Sequence, residues 1–245
     1  HGQYSHMLTG YIGSPTFPRA VLRPLKILRK ARPDLIYVSD PVMGDLGPGP
    51  YIPAELVEIY RDEVLPVATV ITPNMFEAEK LTGMGIKNDG DAVRACQAMH
   101  TKGPRTIVLT SLEYEGEGKG DLITCIASHM DGGEQQLHRI LLPRVPSPNG
   151  GYTGTGDLSA ALLLAWTHRH PDDLPLALEK TVSRAFLLLL SPTWDVTRFL
   201  AAKRCNSLPR SRRSCDEPTS SPRRQRRQAH SKRVRTQRGA ARRWS

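Results

Sequence analysis

The residues with the most evident chemistry in this 245-residue chain form four short polar clusters, rich in the types that handle phosphate, protons and hard cations. The sharpest is Gly154-Thr155-Gly156-Asp157, directly before a long apolar run. Two glycines allow a tight turn that points backbone N–H groups at one spot, and a following helix adds partial positive charge, so the cluster can hold an anion. An aspartate fixed there can accept a proton from a hydroxyl that attacks a phosphoryl group. The plain alternative is that Asp157 only caps the next helix. Asp40-Pro41-Val42-Met43-Gly44-Asp45 offers two carboxylates flanking a turn. Mg²⁺ takes one or two such donors beside substrate phosphates, although an Asp-Pro turn with Asp45 exposed explains the same residues without a metal. Thr72-Pro73-Asn74-Met75-Phe76-Glu77-Ala78-Glu79 carries Asn74 and Glu77 at capping-box spacing. A helix start there does not exclude a role, since Asn74 can face a phosphate while Glu77 orients a metal-bound water. Thr110-Ser111 adds two hydroxyls for a nucleotide phosphate or a monovalent cation, a weak signal when taken alone.

Three of these clusters follow apolar, β-branched runs of the kind that form buried parallel strands: Leu35–Ser39, Ala68–Ile71 and Thr106–Leu109. His6–Leu8, before Thr9-Gly10-Tyr11, reads as a further short strand. Helical spacing places Leu56, Ile59, Tyr60 and Val64 on one face of Ala54–Val64, and Ala92, Val93, Cys96 and Met99 on one face of a helix over about Asp89–Lys102. Asp157–His168 is apolar almost all round and reads as a buried helix, with another beginning at Asp172–Thr181. Beyond Ser183 that order fades. Alternating strands and helices predict a parallel, doubly wound α/β sheet. Asp121–Ser128 and Gln136–Leu142, joined through Asp131–Gly133, predict an antiparallel hairpin at its edge. Ligands of open parallel sheets bind beyond the carboxyl ends of the strands. The joint placement of the clusters on that one rim carries more weight than any cluster alone.

The net charge of +10 resembles that of a nucleic-acid binder, but it is unevenly placed. Lys203–Ser245 holds 15 Lys and Arg against two acids, while the other 202 residues hold 19 bases and 22 acids. A mildly acidic body therefore carries a basic tail. From about Asn206 the tail is Arg, Ser, Pro and Gln, a composition that predicts disorder. Clusters such as Arg223–Arg227 can contact nucleic acid, and the alternative is a solvated tail without a selected partner. Four cysteines without metal-ligand spacing fit a reducing compartment. No apolar run reaches the roughly 20 residues that cross a bilayer. His168 and His170 suit the negative end of a helix rather than a metal constellation. No GxxxxGK[ST] loop points to a P-loop kinase, and no GxSxG marks a serine nucleophile. The start at His1 leads to the expectation that part of the domain precedes it.

DPVMGD at Asp40–Asp45, ITPNMFEAE at Ile71–Glu79, TS at Thr110-Ser111 and GTGDLSAALLLAWTHRHP at Gly154–Pro171 together resemble the pyridoxal kinase family of the ribokinase-like superfamily, in its animal version. The resemblance runs from about Leu8 to Ser183. It implies a three-layer α/β/α fold with a mostly parallel central sheet and an antiparallel edge hairpin, over residues 1–190, followed by an atypical tail at 191–245. It implies ATP-dependent phosphorylation of the 5′-hydroxymethyl group of pyridoxal, pyridoxine or pyridoxamine, by a cytosolic homodimer. Asp157 would be the proton acceptor, and Gly154, Thr155 and Gly156 the anion hole. Asp40, Asn74, Glu77, Thr110 and Ser111 match ATP- and cation-site positions. Asp45 and Glu77 would stand near Mg²⁺, with Asp40, Thr72 and Thr110 near a monovalent cation, K⁺ or Na⁺. Tyr11 and Tyr51 match positions lining the B6 pocket. The family's N-terminal portion, with a pyridine-contacting serine and a sheet extension used in dimerisation, has no counterpart after His1, so this chain alone is expected not to turn over. The loop Pro146–Tyr152 and Ser159 differ from vertebrate relatives, and the sequence after Ser183 departs from the family's closing segment near the adenine site. Alternatives are a hydroxymethylpyrimidine-type kinase, or an inactive splice form whose basic tail binds nucleic acid.

Overall fold

The structure is a computed structural model that describes residues 4–46, 49–114, 121–145, 154–189 and 205–206. The chain divides into two units, His1–Leu208 and Pro209–Ser245, and the described residues belong to the first. The basic tail and the loop at 146–153 thus lie outside the described residues, apart from Cys205 and Asn206.

Strands β1 (His6–Thr9), β2 (Ile36–Ser39), β5 (Val70–Ile71) and β6 (Thr106–Leu112) pair in parallel. β7 (Leu122–Asp131), β8 (Glu134–Pro143) and the two-residue β9 (Cys205–Asn206) continue the sheet antiparallel, giving the order β1-β2-β5-β6-β7-β8-β9. The expected edge hairpin is present as β7–β8, two or three residues longer than its apolar pattern indicated. A separate small hairpin pairs β3 (Gly44–Asp45) with β4 (Gly49–Pro50).

Strand residues alternate between two cores, as the two-residue period requires. Tyr37, Ile71, Ile107, Leu109 and Ile126 face the first core, with Leu25 of α1 (Thr16–Ala31), Leu56 of α2 (Ala54–Ile59), Leu81 of α3 (Met75–Thr82) and Cys96 of α4 (Asp89–His100). Val38, Val70, Val108, Cys125 and Ala127 face the second, with Leu163 of α5 (Thr155–Arg169) and Leu178 of α6 (Leu174–Leu189). Helices cover both faces, as expected of three layers. The winding differs from a doubly wound sheet, because β1, β2, β5 and β6 sit in chain order. Crossovers of one hand stepping in one direction put their helices on one face, so α1 to α4 share a layer and α5 with α6 supply the other.

Several elements depart from the sequence pattern. α1 is absent from the periodicity reading because Pro18 and Pro24 interrupt it; it is anchored by buried Pro18 and Leu25, and by the Arg29 guanidinium donating to the Val67 carbonyl and the Thr69 hydroxyl. The Ala54–Val64 helix is α-helical only to Ile59, then turns through a π-helical segment, Tyr60–Val64, and a 3₁₀ turn, Leu65–Val67. Pro66 lies at the start of that final turn, where its missing N–H breaks no helical hydrogen bond. α5 buries only Ala160 and Leu163 among its side chains, since one side meets the sheet and α6 while Ala161 and Ala165 are exposed. α6 runs on past Ser183 to Leu189. At the opposite end from the rim, the rings of His6 on β1 and His168 on α5 meet edge to face, 4.8 Å apart. Cys96 and Cys125 are buried free thiols.

Candidate active site

The carboxyl ends of the four parallel strands carry the candidate residues: Gly10 follows β1, Asp40 follows β2 and Thr72 follows β5. Thr110-Ser111 lies within β6 rather than after it. Leu109 pairs with Ile126 and Leu112 with Thr124, so the two hydroxyl residues form a bulge with one extra residue. The Thr110 N–H donates to the Pro73 carbonyl, tying this bulge to the turn before α3.

α5 begins at this rim. Its N-cap is Gly154, at φ +81°, a left-handed conformation that favours glycine. Asp157 is therefore the third helical residue and not the cap. No side chain caps this helix, and the first N–H groups of a helix have no partner within it. The Asp157 carboxylate is exposed and lies over the end of β1, where a Cβ on Gly10 would come 2.7 Å from its Oδ1. A Cβ on Gly156 would come 3.5 Å from Oδ2 of Asp40, so the α5 turn also stands over the end of β2.

Asp40 is 3 % exposed. Its Oδ1 accepts a 2.8 Å hydrogen bond from the Thr72 hydroxyl, while its Oδ2 is buried without a partner among the described residues. Burial pushes its carboxyl up to about 6; the Thr72 hydroxyl opposes that and the nearby Asp157 charge adds to it. A buried carboxylate oxygen without a donor is costly unless something positive meets it. Asp40 and Thr72 thus fit a cation, whose bound charge would offset the crowded carboxylates.

Asn74 and Glu77 make the full capping box of α3: the Glu77 N–H donates to Asn74 Oδ1, and the Asn74 N–H donates to Glu77 Oε2. The Met43 N–H donates to Glu77 Oε1 at 2.9 Å, so both oxygens of this buried carboxylate are engaged. Burial still pushes its carboxyl up to about 8, against those two backbone donors and with Asp40 and Asp45 adding to the rise. The Asn74 amide nitrogen donates to the Gly44 carbonyl and to Asp45 Oδ1, and the Tyr51 hydroxyl donates to Asp45 Oδ2 at 2.6 Å. The β3–β4 hairpin is thereby pinned to α3. It also needs Gly44, whose Cβ would fall 2.3 Å from the Gly49 carbonyl oxygen. Among the described residues no three His, Cys, Asp or Glu side chains gather as a metal cluster. Asp45 and Glu77 spend their oxygens on protein donors, which fits orienting a hydrated ion better than displacing its waters. Tyr11 and Tyr51, both exposed, stand apart in their attachments: Tyr11 follows Gly10 beside Asp157, and Tyr51 is bound to Asp45.

Two features escaped the sequence reading. Gly10 was visible only as part of a strand end. Tyr60, 1 % exposed, opens the π turn and has a buried hydroxyl with no partner among the described residues; its acidity is suppressed by burial, then by Tyr37, Asp40 and Glu77 nearby. Its helical spacing marked it as core, and only the phenol oxygen signalled more.

The fold is that of the ribokinase-like superfamily. The pattern of the phosphomethylpyrimidine kinase family matches residues 5–183. A pyridoxal kinase of Arabidopsis thaliana is 44% identical over 197 residues, 80% of this chain and 61% of that protein. The one from Sus scrofa is 41% identical over 187 residues, 74% of this chain and 58% of that protein, so the likeness extends to plant as well as animal versions. The structure of pyridoxal kinase from Leishmania donovani in complex with ADP and pyridoxamine superimposes with a TM-score of 0.70 at 33% identity, covering 79% of this chain and 66% of that one. This chain belongs to the phosphomethylpyrimidine kinase family, and the relatives it resembles here are named pyridoxal kinases. It spans about three fifths of the length of the curated relatives it matches.

Proposed function

We propose that this chain is the body of an ATP-dependent kinase that phosphorylates the 5′-hydroxymethyl group of pyridoxal, and likewise of pyridoxine and pyridoxamine. The observation that carries this reading is the uncapped start of α5, with the Asp157 carboxylate over Gly10 and beside Asp40. Asp157 takes the proton of the 5′-hydroxyl as that oxygen attacks the γ-phosphorus; the bond to the β,γ-bridging oxygen breaks, and ADP leaves with its electron pair. Gly154, Thr155 and Gly156 form the anion hole for the transferred phosphoryl group, with the N-terminal dipole of α5 behind them. Asn74, Thr110 and Ser111 face the nucleotide phosphates, and Tyr11 and Tyr51 line the vitamer pocket. Asp40, Thr72 and Thr110 would hold a monovalent cation, and Asp45 and Glu77 would orient Mg²⁺. Bound, these ions supply positive charge against the phosphates.

The kinase body spans residues 1–190, with 191–245 as an appended basic tail, and works as a homodimer in the cytosol. Among the described residues no helix is long and apolar enough to cross a membrane. A second reading, phosphorylation of a hydroxymethylpyrimidine, is favoured by the family pattern over residues 5–183. The test mixes the chain, alone and in a form extended at its N-terminus with the N-terminal portion of a pyridoxal kinase relative, with ATP, Mg²⁺, K⁺ and either pyridoxal or hydroxymethylpyrimidine. Pyridoxal 5′-phosphate from the extended form is the expected result. No product from pyridoxal in either form overturns the first reading, and product from the pyrimidine alone establishes the second.

A further inference from the structure

Glycines in this fold are needed for different reasons, and the atoms that a Cβ would meet separate them. At Gly44 and Gly103 the obstacle is backbone: the Gly49 carbonyl at 2.3 Å and the Pro66 carbonyl at 2.6 Å. At Gly154, Gly83 and Gly132 a positive φ is the reason. Gly10 and Gly13 have neither. Their φ values are not positive, and among the described residues the nearest atoms beyond their chain neighbours belong to side chains. At Gly10, among the described residues and apart from its chain neighbours, a Cβ meets within 4 Å only Oδ1 and Cγ of Asp157, at 2.7 and 3.9 Å. At Gly13 the three nearest are the Tyr11 hydroxyl, Cζ and Cε1, at 2.8, 3.3 and 3.4 Å.

We propose that Gly10 and Gly13 are positioning residues whose missing side chains make room for two working groups, the Asp157 carboxylate and the Tyr11 phenol. The inference rests on the kinase reading for the roles of Asp157 and Tyr11, and on geometry alone for the clearances. Each glycine sits under the movable end of a side chain rather than under the fold. A methyl group at Gly10 pushes the carboxylate off the strand end and away from the hydroxyl it must deprotonate. A methyl group at Gly13 swings the Tyr11 ring out of the vitamer pocket. Since only a side-chain end yields in each case, the fold is kept; alanine also has less freedom to lose on folding than glycine.

The two substitutions therefore fail in different kinetic terms. In Gly10→Ala, Tm holds or rises, the KM for ATP stays as in the parent, and kcat falls about 10- to 100-fold, the scale of an ångström-sized misplacement. In Gly13→Ala, Tm holds, kcat stays within about twofold, and the KM for pyridoxal rises several-fold, the mark of lost binding shared by ground and transition states. A crystal structure of Gly10→Ala shows the Asp157 carboxylate displaced. Unchanged kcat in Gly10→Ala, an undisplaced carboxylate, or a collapse of Tm in either variant overturns the proposal; the last would make these glycines parts of the fold. Unchanged KM for pyridoxal in Gly13→Ala removes the Tyr11 half. If the parent, extended upstream, makes no product, the kinase reading fails, and the position of Asp157 in the Gly10→Ala crystal still decides the clearance.

Discussion

Asp157 and Glu77 occupy the same place in two helices, the third residue after the N-cap, yet the two turns are built in opposite ways. At the start of α3 the cap is Asn74, and Glu77 folds back to accept from its N–H, so the turn closes on itself. At the start of α5 the cap is Gly154, which has no side chain to give, and Asp157 faces outward. The first carboxylate is 3 % exposed with both oxygens engaged; the second is exposed above the strand ends. A helix that satisfies its own N-terminus has little left for a ligand. One that leaves its first N–H groups open keeps an anion site.

Replacing each acid breaks the contrast from its own side. Asp157→Ala should give the largest effect, a loss of about 10²- to 10⁴-fold in kcat, the usual range for a general base. The thermal shift caused by ADP should survive, and calorimetry against turnover separates the two. Glu77→Gln should act on the fold first, because an amide cannot accept with both ends. One buried N–H, of Asn74 or Met43, loses its acceptor, at a cost of about 1–3 kcal/mol read as a lower urea midpoint.

Acidity sharpens the same contrast. Asp40 and Glu77 are pushed up from 3.8 and 4.5 to about 6 and about 8, so the folded chain holds their protons more tightly than the unfolded one. Their contribution to stability is complete below about pH 4 and is lost as pH rises through about 6 for Asp40 and about 8 for Glu77. The urea midpoint of Asp40→Asn should accordingly fall less between pH 5.5 and 9 than that of the parent. K⁺ and Mg²⁺ should raise Tm more at pH 8 than at pH 5.5, since a cation favours the ionised carboxylates. Tyr60→Phe should give the smallest effect: it removes a buried hydroxyl with no partner among the described residues and should leave Tm equal or slightly higher.

The rim was legible in the sequence because its clusters adjoin recognisable elements: Asp40 follows β2, Thr72 follows β5, and Gly154–Asp157 forms the cap and first turn of α5. Asn74 and Glu77 also obeyed their local spacing and formed the capping box. What escaped depends on contacts distant in the chain. Gly10 and Asp157 are far apart in sequence, and nothing local to Thr9-Gly10-Tyr11 records the carboxylate above it. α1 was hidden by prolines that its tertiary anchors tolerate, and the π turn at Tyr60 arises inside a regular helical pattern. The layer assignment of α1 to α4 follows from strand order, which local periodicity does not encode.

The edge-to-face contact of His6 and His168 bears on the far end of the molecule. β1 carries His6 at one end and leads into Gly10 at the other; α5 carries His168 near its close and Asp157 in its first turn. Strand and helix therefore touch through the two rings at one end and face each other across the Gly10 clearance at the other. A substitution that loosens the ring contact is expected to be felt as play at the rim, read as a lower kcat in His168→Ala.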